Sequence, residues 1–129
     1  MEKRKEETMR NKELFIGAWV ETDFGQQMVT QIPNDATVRT GDGRLVCIQD
    51  IKPIPITDEL LEKIGFNYIQ DKFGGHYMLF DFLGVFIQTN GDCWKFDCNR
   101  NGLFMFKLHF VHELQMALML NGIDKEIML

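Results

Sequence analysis

Four residues in the C-terminal third of the chain are of the types that bind zinc. Four residues separate Cys93 from Cys98, and two separate His109 from His112. Thiolates and imidazoles hold structural zinc, usually from Cys-x2-Cys and His-x3-His pairs, and neither spacing is present. In a β-strand, Cys93 and Cys98 would also point to opposite faces. The pattern therefore favours buried thiols and packing histidines, and we expect no bound metal and no cofactor.

The cysteines and His112 each allow a second kind of chemistry. A thiolate beside a histidine base can act as a nucleophile, but nothing in the sequence brings such a pair together. A metal-dependent or cysteine enzyme is therefore the last of three functional hypotheses, and no residue is assigned as catalytic. His112 could titrate near neutral pH or bind a partner's carboxylate, and its structural alternative is to satisfy backbone groups between a strand and a helix. His112 and Trp19 are the candidate interaction residues.

Two motifs could contact phosphate. Gly41-Asp42-Gly43 is glycine-rich, but neither a helix nor Lys-Ser/Thr follows it, so a hairpin turn is favoured. Lysines alternate with apolar residues in 94–96 (Trp-Lys-Phe) and 106–108 (Phe-Lys-Leu), as in small barrels that bind nucleic acid. The net charge is −5, and residues 1–13 hold five basic and four acidic side chains, which leaves −6 on the rest. This acidity disfavours nucleic-acid binding, which we keep as the alternative function.

The length and composition predict one folded α+β domain. With 129 residues and 45% hydrophobic side chains, the chain can build one core, so general disorder is excluded. We expect residues 1–13 to form a charged, flexible segment and residues 14–129 to form the single domain. Strands predicted at 14–20, 27–32, 37–39 and 45–48 would make a small bent antiparallel sheet or an SH3-like partial barrel.

The second half is predicted to contain a β-hairpin layer and two helices, at about 57–64 and 110–121. Thr57 is the expected N-cap of the first helix, and Gly65 is its expected stop. Strands are expected at 76–83, 85–89, 92–98 and 103–108, with Asp81 as a sheet-edge charge. Asn90-Gly91 is typical of a two-residue type I′ turn, which would pair Ile87 with Trp94 and Val85 with Phe96.

Three segments together resemble a family of small uncharacterised proteins from Bacteroidetes genomes, phages and mobile elements. They are NKELFIGAWV (11–20), IQDIKPIPITDELLEKIGF (48–66) and FVHELQMALMLNGID (110–124). The family has an Ile-x-Pro-Ile-Pro-Leu-Thr helix start and a His-Gln-Leu-Gln helix, and the match spreads over residues 10–124. Phe15, Ala18 and Glu113 depart from its pattern. The resemblance implies a natural start at Met9 and supplies no activity, cofactor or catalytic residue.

These observations favour a non-catalytic accessory or protein-interaction domain of phage or mobile-element origin. The apolar tail 127–129 and the eight methionines suit adaptable contacts with a protein partner, or within a possible homo-oligomer. No apolar run approaches the roughly 18 residues that would span a bilayer, so no membrane partner is expected. An odd count of three cysteines fits reduced thiols, and we expect a location in the cytoplasm of a bacterial host.

Overall fold

The computed structural model describes residues 14–72, 74–79, 85–89, 93–98 and 105–129. The charged segment 1–13 with Met9, the predicted edge charge Asp81 and the predicted turn at 90–91 lie outside the described residues. The chain forms two compact units, Met1–Ile54 and Pro55–Leu129. The single domain over 14–129 stays a prediction, and each unit is described by itself.

Unit 1 contains a four-stranded antiparallel sheet in the order β1-β2-β3-β4. Its strands are β1 (Trp19–Thr22), β2 (Gly25–Gln31), β3 (Thr37–Thr40) and β4 (Leu45–Cys47), followed by a 3₁₀ turn at Ile48–Asp50. A register shift between Val29 and Gln31 interrupts the pairing of β2 with β3, and such bulges bend a strand. The core of this unit consists of Leu14, Val20, Val29, Val38, Ile48 and Ile51.

The first strand is shorter than the sequence predicts. Residues 14–18 form a turn because Gly17 has a φ of +102° and the Ala18 N–H donates to the Phe15 carbonyl at 3.0 Å. A backbone at this φ leaves the strand conformation, which glycine tolerates without steric cost. The predicted hairpin turn at 41–43 is confirmed, with the Thr40 N–H donating to the Arg44 carbonyl at 2.9 Å. Gly41-Asp42-Gly43 is therefore a turn between β3 and β4.

Unit 2 contains a five-stranded antiparallel sheet in the order β5-β6-β7-β8-β9, with two helices. The strands are β5 (Asn67–Asp71), β6 (Gly74–Met78), β7 (Val85–Thr89), β8 (Trp94–Cys98) and β9 (Met105–Leu108). The helices are α1 (Asp58–Lys63) and α2 (Val111–Leu120). Two antiparallel sheets, one of them curled into a half-barrel, and two helices confirm the predicted α+β class. Strand β5 has no counterpart among the sequence predictions.

The predicted register of the second hairpin is wrong by two residues. Val85 pairs with Cys98, Ile87 with Phe96, and Thr89 with Trp94, so four residues connect the strands instead of two. Side chains alternate with a period of two, so a shift of two residues leaves each one on the face that the sequence predicts. Ile87 and Phe96 are accordingly opposite each other and fully buried.

Both helices are confirmed and end in the same way. In α1 the N–H groups of Gly65 and Phe66 donate to the carbonyls of Glu62 at 3.2 Å and Leu61 at 2.9 Å. This is a Schellman motif, with Gly65 at a φ of +109°. In α2 the N–H groups of Gly122 and Ile123 make the equivalent bonds to Met119 and Leu118. The residues that precede and follow each helix therefore fix its length.

Candidate functional site

A cleft of about 620 Å³ lies in unit 2 between α1 and one face of the five-stranded sheet. Its volume is within the range of natural ligand sites, about 300–1,000 Å³. Residues from α1, β5, β6, β7 and β8 contribute to its walls. They are Asp58, Glu62, Tyr68, Gly75, His76, Tyr77, Gln88, Thr89 and Trp94. The cleft is the candidate site because it combines aromatic rings with carboxylates.

Three aromatic rings form a row across the cleft. Tyr68 and Tyr77 are opposite each other on β5 and β6, and their ring centroids are 5.2 Å apart at an interplanar angle of 63°. Tyr77 and Trp94 are 6.1 Å apart at 60°. Tyr77 is 5% exposed and forms the floor, whereas Tyr68 is 53% exposed and forms the rim. The Trp94 Nε1–H donates to the carbonyl of Ile56 at 3.2 Å, which fixes the orientation of the indole.

Gly75 allows the Tyr68 ring to lie across the sheet. A Cβ atom added to Gly75 would collide with the hydroxyl end of Tyr68. That hydroxyl donates to the Gln70 Oε1 at 2.7 Å, which holds the ring in place. The rim of the cleft therefore depends on a glycine in the neighbouring strand.

Helix α1 provides two carboxylates to the cleft. Asp58 and Glu62 are four residues apart, so they lie on the same side of the helix. The helix is anchored because the Thr57 hydroxyl, at its N-cap, accepts from the Leu60 N–H at 3.1 Å. The Tyr77 hydroxyl donates to the Asp58 Oδ1 at 2.9 Å and so ties the helix start to the floor of the cleft. Burial, and next the Asp58 carboxylate, raise the pKa of Tyr77 well above its ordinary value, so the hydroxyl stays a donor at neutral pH.

The arrangement favours a cationic ligand. Neither Asp58 nor Glu62 forms an ion pair with a described lysine, arginine or histidine. Carboxylates attract cations directly, and the faces of tyrosine and tryptophan attract them through the ring quadrupole. Within the described residues, no group of three or more His, Cys, Asp or Glu side chains is placed to hold a metal ion.

The two cysteines among the zinc candidates are far apart along the chain. Cys93 directly precedes β8 and Cys98 is its last residue, so five residues at about 3.3 Å each place their backbones on the order of 16 Å apart. Two thiolates on one zinc ion must each lie about 2.3 Å from it, so Cys93 and Cys98 cannot share an ion. His109 is exposed and His112 is buried.

The two candidate interaction residues, His112 and Trp19, are both buried. His112 is 4% exposed, and its ring stacks on that of Phe110 with centroids 5.9 Å apart and planes inclined by 8°. Trp19 is 9% exposed, at the start of β1. Glu113 satisfies backbone groups where β9 meets α2, accepting from the N–H groups of His109 at 2.7 Å and Phe110 at 3.0 Å. Neither His112 nor Trp19 presents more than a tenth of its surface to solvent.

The lysines of segments 94–96 and 106–108 lie opposite each other on neighbouring strands. Lys95 on β8 is directly opposite Lys107 on β9, so both side chains are on the same face of the sheet. Trp94 and Phe96 are on the opposite face. The lysines and the aromatic rings therefore do not form one mixed surface.

The sequence predictions did not identify the cleft. Its residues come from positions 58 to 94 and are brought together by strand pairing, including that of the unpredicted β5. The i,i+4 spacing of Asp58 and Glu62 was a local signal, but the helix dipole explains an acidic residue in the first turn, such as Asp58, without any ligand.

Comparison of the chain with protein-family models, curated proteins and solved structures gives no significant match. In the parts of the chain that the structure describes, no helix combines the length and the apolar character needed to cross a membrane.

Proposed function

We propose that this protein is a non-catalytic interaction domain that binds a protein partner in the cleft beside α1. The row formed by Tyr68, Tyr77 and Trp94, bordered by Asp58 and Glu62, is the observation that carries the proposal. Tyrosine and tryptophan are enriched at the residues that contribute most to binding between proteins, because a large, rigid ring buries much surface at a small entropic cost.

Preorganisation of the cleft supports this proposal. Hydrogen bonds fix the Tyr68 hydroxyl, the Tyr77 hydroxyl and the Trp94 indole, and caps fix both ends of α1. A site that is already ordered loses little conformational entropy on binding, so more of the contact energy contributes to affinity. The resemblance over residues 10–124 adds the proposed setting, an accessory protein of a phage or mobile element that acts in the cytoplasm of its bacterial host.

Site-specific photo-crosslinking tests the proposal. We would place benzoylphenylalanine at Tyr68, on the rim, and at Phe24, an equally exposed aromatic position in unit 1 (56% exposed). In a phage-infected or induced culture, we expect one defined adduct from position 68 that is absent from position 24. The double variant Asp58→Asn, Glu62→Gln should lose it. Identical adducts at both positions, or an adduct that the double variant retains, would contradict binding in the cleft.

Nucleic-acid binding is the second candidate function. It is favoured because Lys95 and Lys107 lie directly opposite each other on neighbouring strands. Two like charges directly across a strand pair repel each other, and a bound phosphate would relieve that repulsion. If both lysines contact phosphate, the logarithm of affinity should fall with the logarithm of salt concentration with a slope of about −1.4 to −1.8. Fluorescence anisotropy with labelled single- and double-stranded oligonucleotides measures this slope, and Lys107→Gln should halve it. No binding at low salt eliminates the candidate.

A further inference from the structure

We infer that the cleft selects a guanidinium group, so that the partner contributes an arginine side chain. This inference rests on the proposed function, because it specifies the chemistry of the partner that the cleft binds. It depends on the charge of the cleft, on its rings and on a comparable arrangement within the same chain.

The carboxylates determine the sign of the ligand charge. Asp58 uses Oδ1 to accept from Tyr77, and a carboxylate has acceptor sites on both oxygens, so it can hold the floor residue and a ligand together. Glu62 lies one turn further along the same side of α1 and provides a second carboxylate. A guanidinium has five N–H donors in a fixed plane, which suits two neighbouring carboxylates better than the compact ammonium of lysine does.

The rings favour a planar cation. Tyr68, Tyr77 and Trp94 line the same cleft as both carboxylates. A guanidinium stacks on aromatic faces and is more weakly hydrated than an ammonium, so less hydration is lost when it enters a partly enclosed site. An anionic ligand would face two carboxylates, and a neutral one would leave them without compensating charge.

Unit 1 contains the same combination of groups with its guanidinium in place. The Cζ atom of Arg44 lies 3.8 Å from the centroid of the Phe24 ring. Its Nε forms an ion pair with the Asp42 Oδ2 at 3.0 Å. The guanidinium of Arg44 therefore contacts a ring and a carboxylate at the same time, at a turn that also holds its backbone. The cleft offers more rings and a second carboxylate.

Binding to peptide pools tests the inference. The pools are hexapeptides of otherwise randomised sequence with arginine, lysine, citrulline or norleucine fixed at one central position. Citrulline has nearly the shape of arginine without its charge. The full-length protein is titrated, and the two indole N–H signals are followed by ¹⁵N NMR. Trp94 reports on the cleft, and the buried Trp19 serves as the internal reference.

We expect the Trp94 signal to shift with the arginine pool at a concentration about tenfold lower than with the citrulline pool, a factor typical of a charge-assisted hydrogen bond. Glu62→Gln should reduce this preference. The double variant, Asp58→Asn with Glu62→Gln, should abolish it, so that both pools shift the Trp94 signal at about the same concentration. Glu59→Gln is the matched control, because it removes the same charge from the same helix outside the cleft, and it should keep the preference.

The outcomes separate the two proposals. Equal binding of arginine and citrulline at Trp94 would overturn the inference and leave the proposed interaction function standing. A preference for arginine that survives in the double variant would place the recognition elsewhere and overturn it as well. If no pool moves the Trp94 signal at millimolar concentration, both the inference and the cleft as an interaction site fail. Circular dichroism of each variant confirms that it is folded.

Discussion

Replacing Tyr77 with phenylalanine should destabilise unit 2 by about 1.5 kcal/mol. The change keeps the buried ring and removes only the hydroxyl that donates to the Asp58 Oδ1 at 2.9 Å. A hydrogen bond to a charged group contributes about 1.5–3 kcal/mol. We expect the lower end because Asp58 is exposed, so water replaces the lost donor at the carboxylate.

Urea denaturation at pH 8, followed by the Trp94 signal, measures the free energy of unfolding. Tyr68→Phe is the matched control, because it removes a hydroxyl whose partner Gln70 is exposed, and it should change stability by less than about 0.5 kcal/mol. If Tyr77→Phe costs no more than Tyr68→Phe, the bond does not anchor α1 and the reasoning is refuted.

In alkali, Tyr77→Phe should lose its stability disadvantage relative to wild type. An ordinary tyrosine ionises near pH 10, and burial raises the pKa of Tyr77 above that value in the folded protein. Above pH 10 the unfolded chain therefore gains stability by releasing this proton, while the folded chain retains it. The advantage of wild type over Tyr77→Phe should fall by about 1.4 kcal/mol per pH unit and vanish near pH 11. An advantage that stays constant from pH 8 to pH 11 would contradict the raised pKa.

Three further substitutions test the two helices of unit 2. Thr57→Ala should cost about 1 kcal/mol, measured by thermal denaturation, because it removes the side-chain cap of α1. Gly65→Ala should cost about 1–2 kcal/mol by the same measurement, because alanine is strained at a φ of +109°. Leu114→Ala should cost about 3 kcal/mol in urea denaturation, because Leu114 is fully buried in α2.

Each of these substitutions has a control that should change little. Thr57→Ser keeps a hydroxyl cap and should retain most of the stability. Gly41→Ala, at a position where a Cβ meets its neighbours at 3.8 Å, and Met119→Ala, at a 57% exposed position, should each stay within about 0.5 kcal/mol of wild type. A control that costs as much as its partner would contradict the stated cause.

Helix α1 shows what the sequence could predict. Thr57 and Gly65 act on backbone groups within a few residues of themselves, so the hydrogen bonds at both ends follow from local chemistry. Helix α2 follows in the same way from the spacing of Val111, Leu114 and Leu118, all of which are buried. Structure that depends on residues close together in the sequence can therefore be predicted from the sequence.

The β7–β8 hairpin shows where local signals fail. Asn90-Gly91 indicates a tight turn, but pairing across the sheet determines the register and places Phe96 opposite Ile87. Strand β5 was missed for a related reason, because its Tyr68 is fixed by Tyr77 on the next strand and by the absence of a side chain at Gly75. These are contacts between strands, and the residues of one segment do not specify them.

The cleft was the least predictable feature because all of its geometry is non-local. Trp94 is half-buried and lines the cleft, and its indole N–H donates to the carbonyl of Ile56, which is 38 residues away in the sequence. Asp58 was visible, but without the floor residue Tyr77 nothing distinguished it from the ordinary acidic start of a helix, and nothing in the sequence assigned Glu62 to a site.

The lysine pair on β8 and β9 also bears on how copies of this protein behave in concentrated solution. Strand β9 has one neighbouring strand in the described sheet, so its other side can accept hydrogen bonds from a further strand. A second chain that aligned itself there would bring its own charges close to Lys107, beside a site that Lys95 already makes positive. We therefore expect Lys107 and Lys95 to oppose pairing of a further strand with β9, and so to oppose edge-to-edge aggregation.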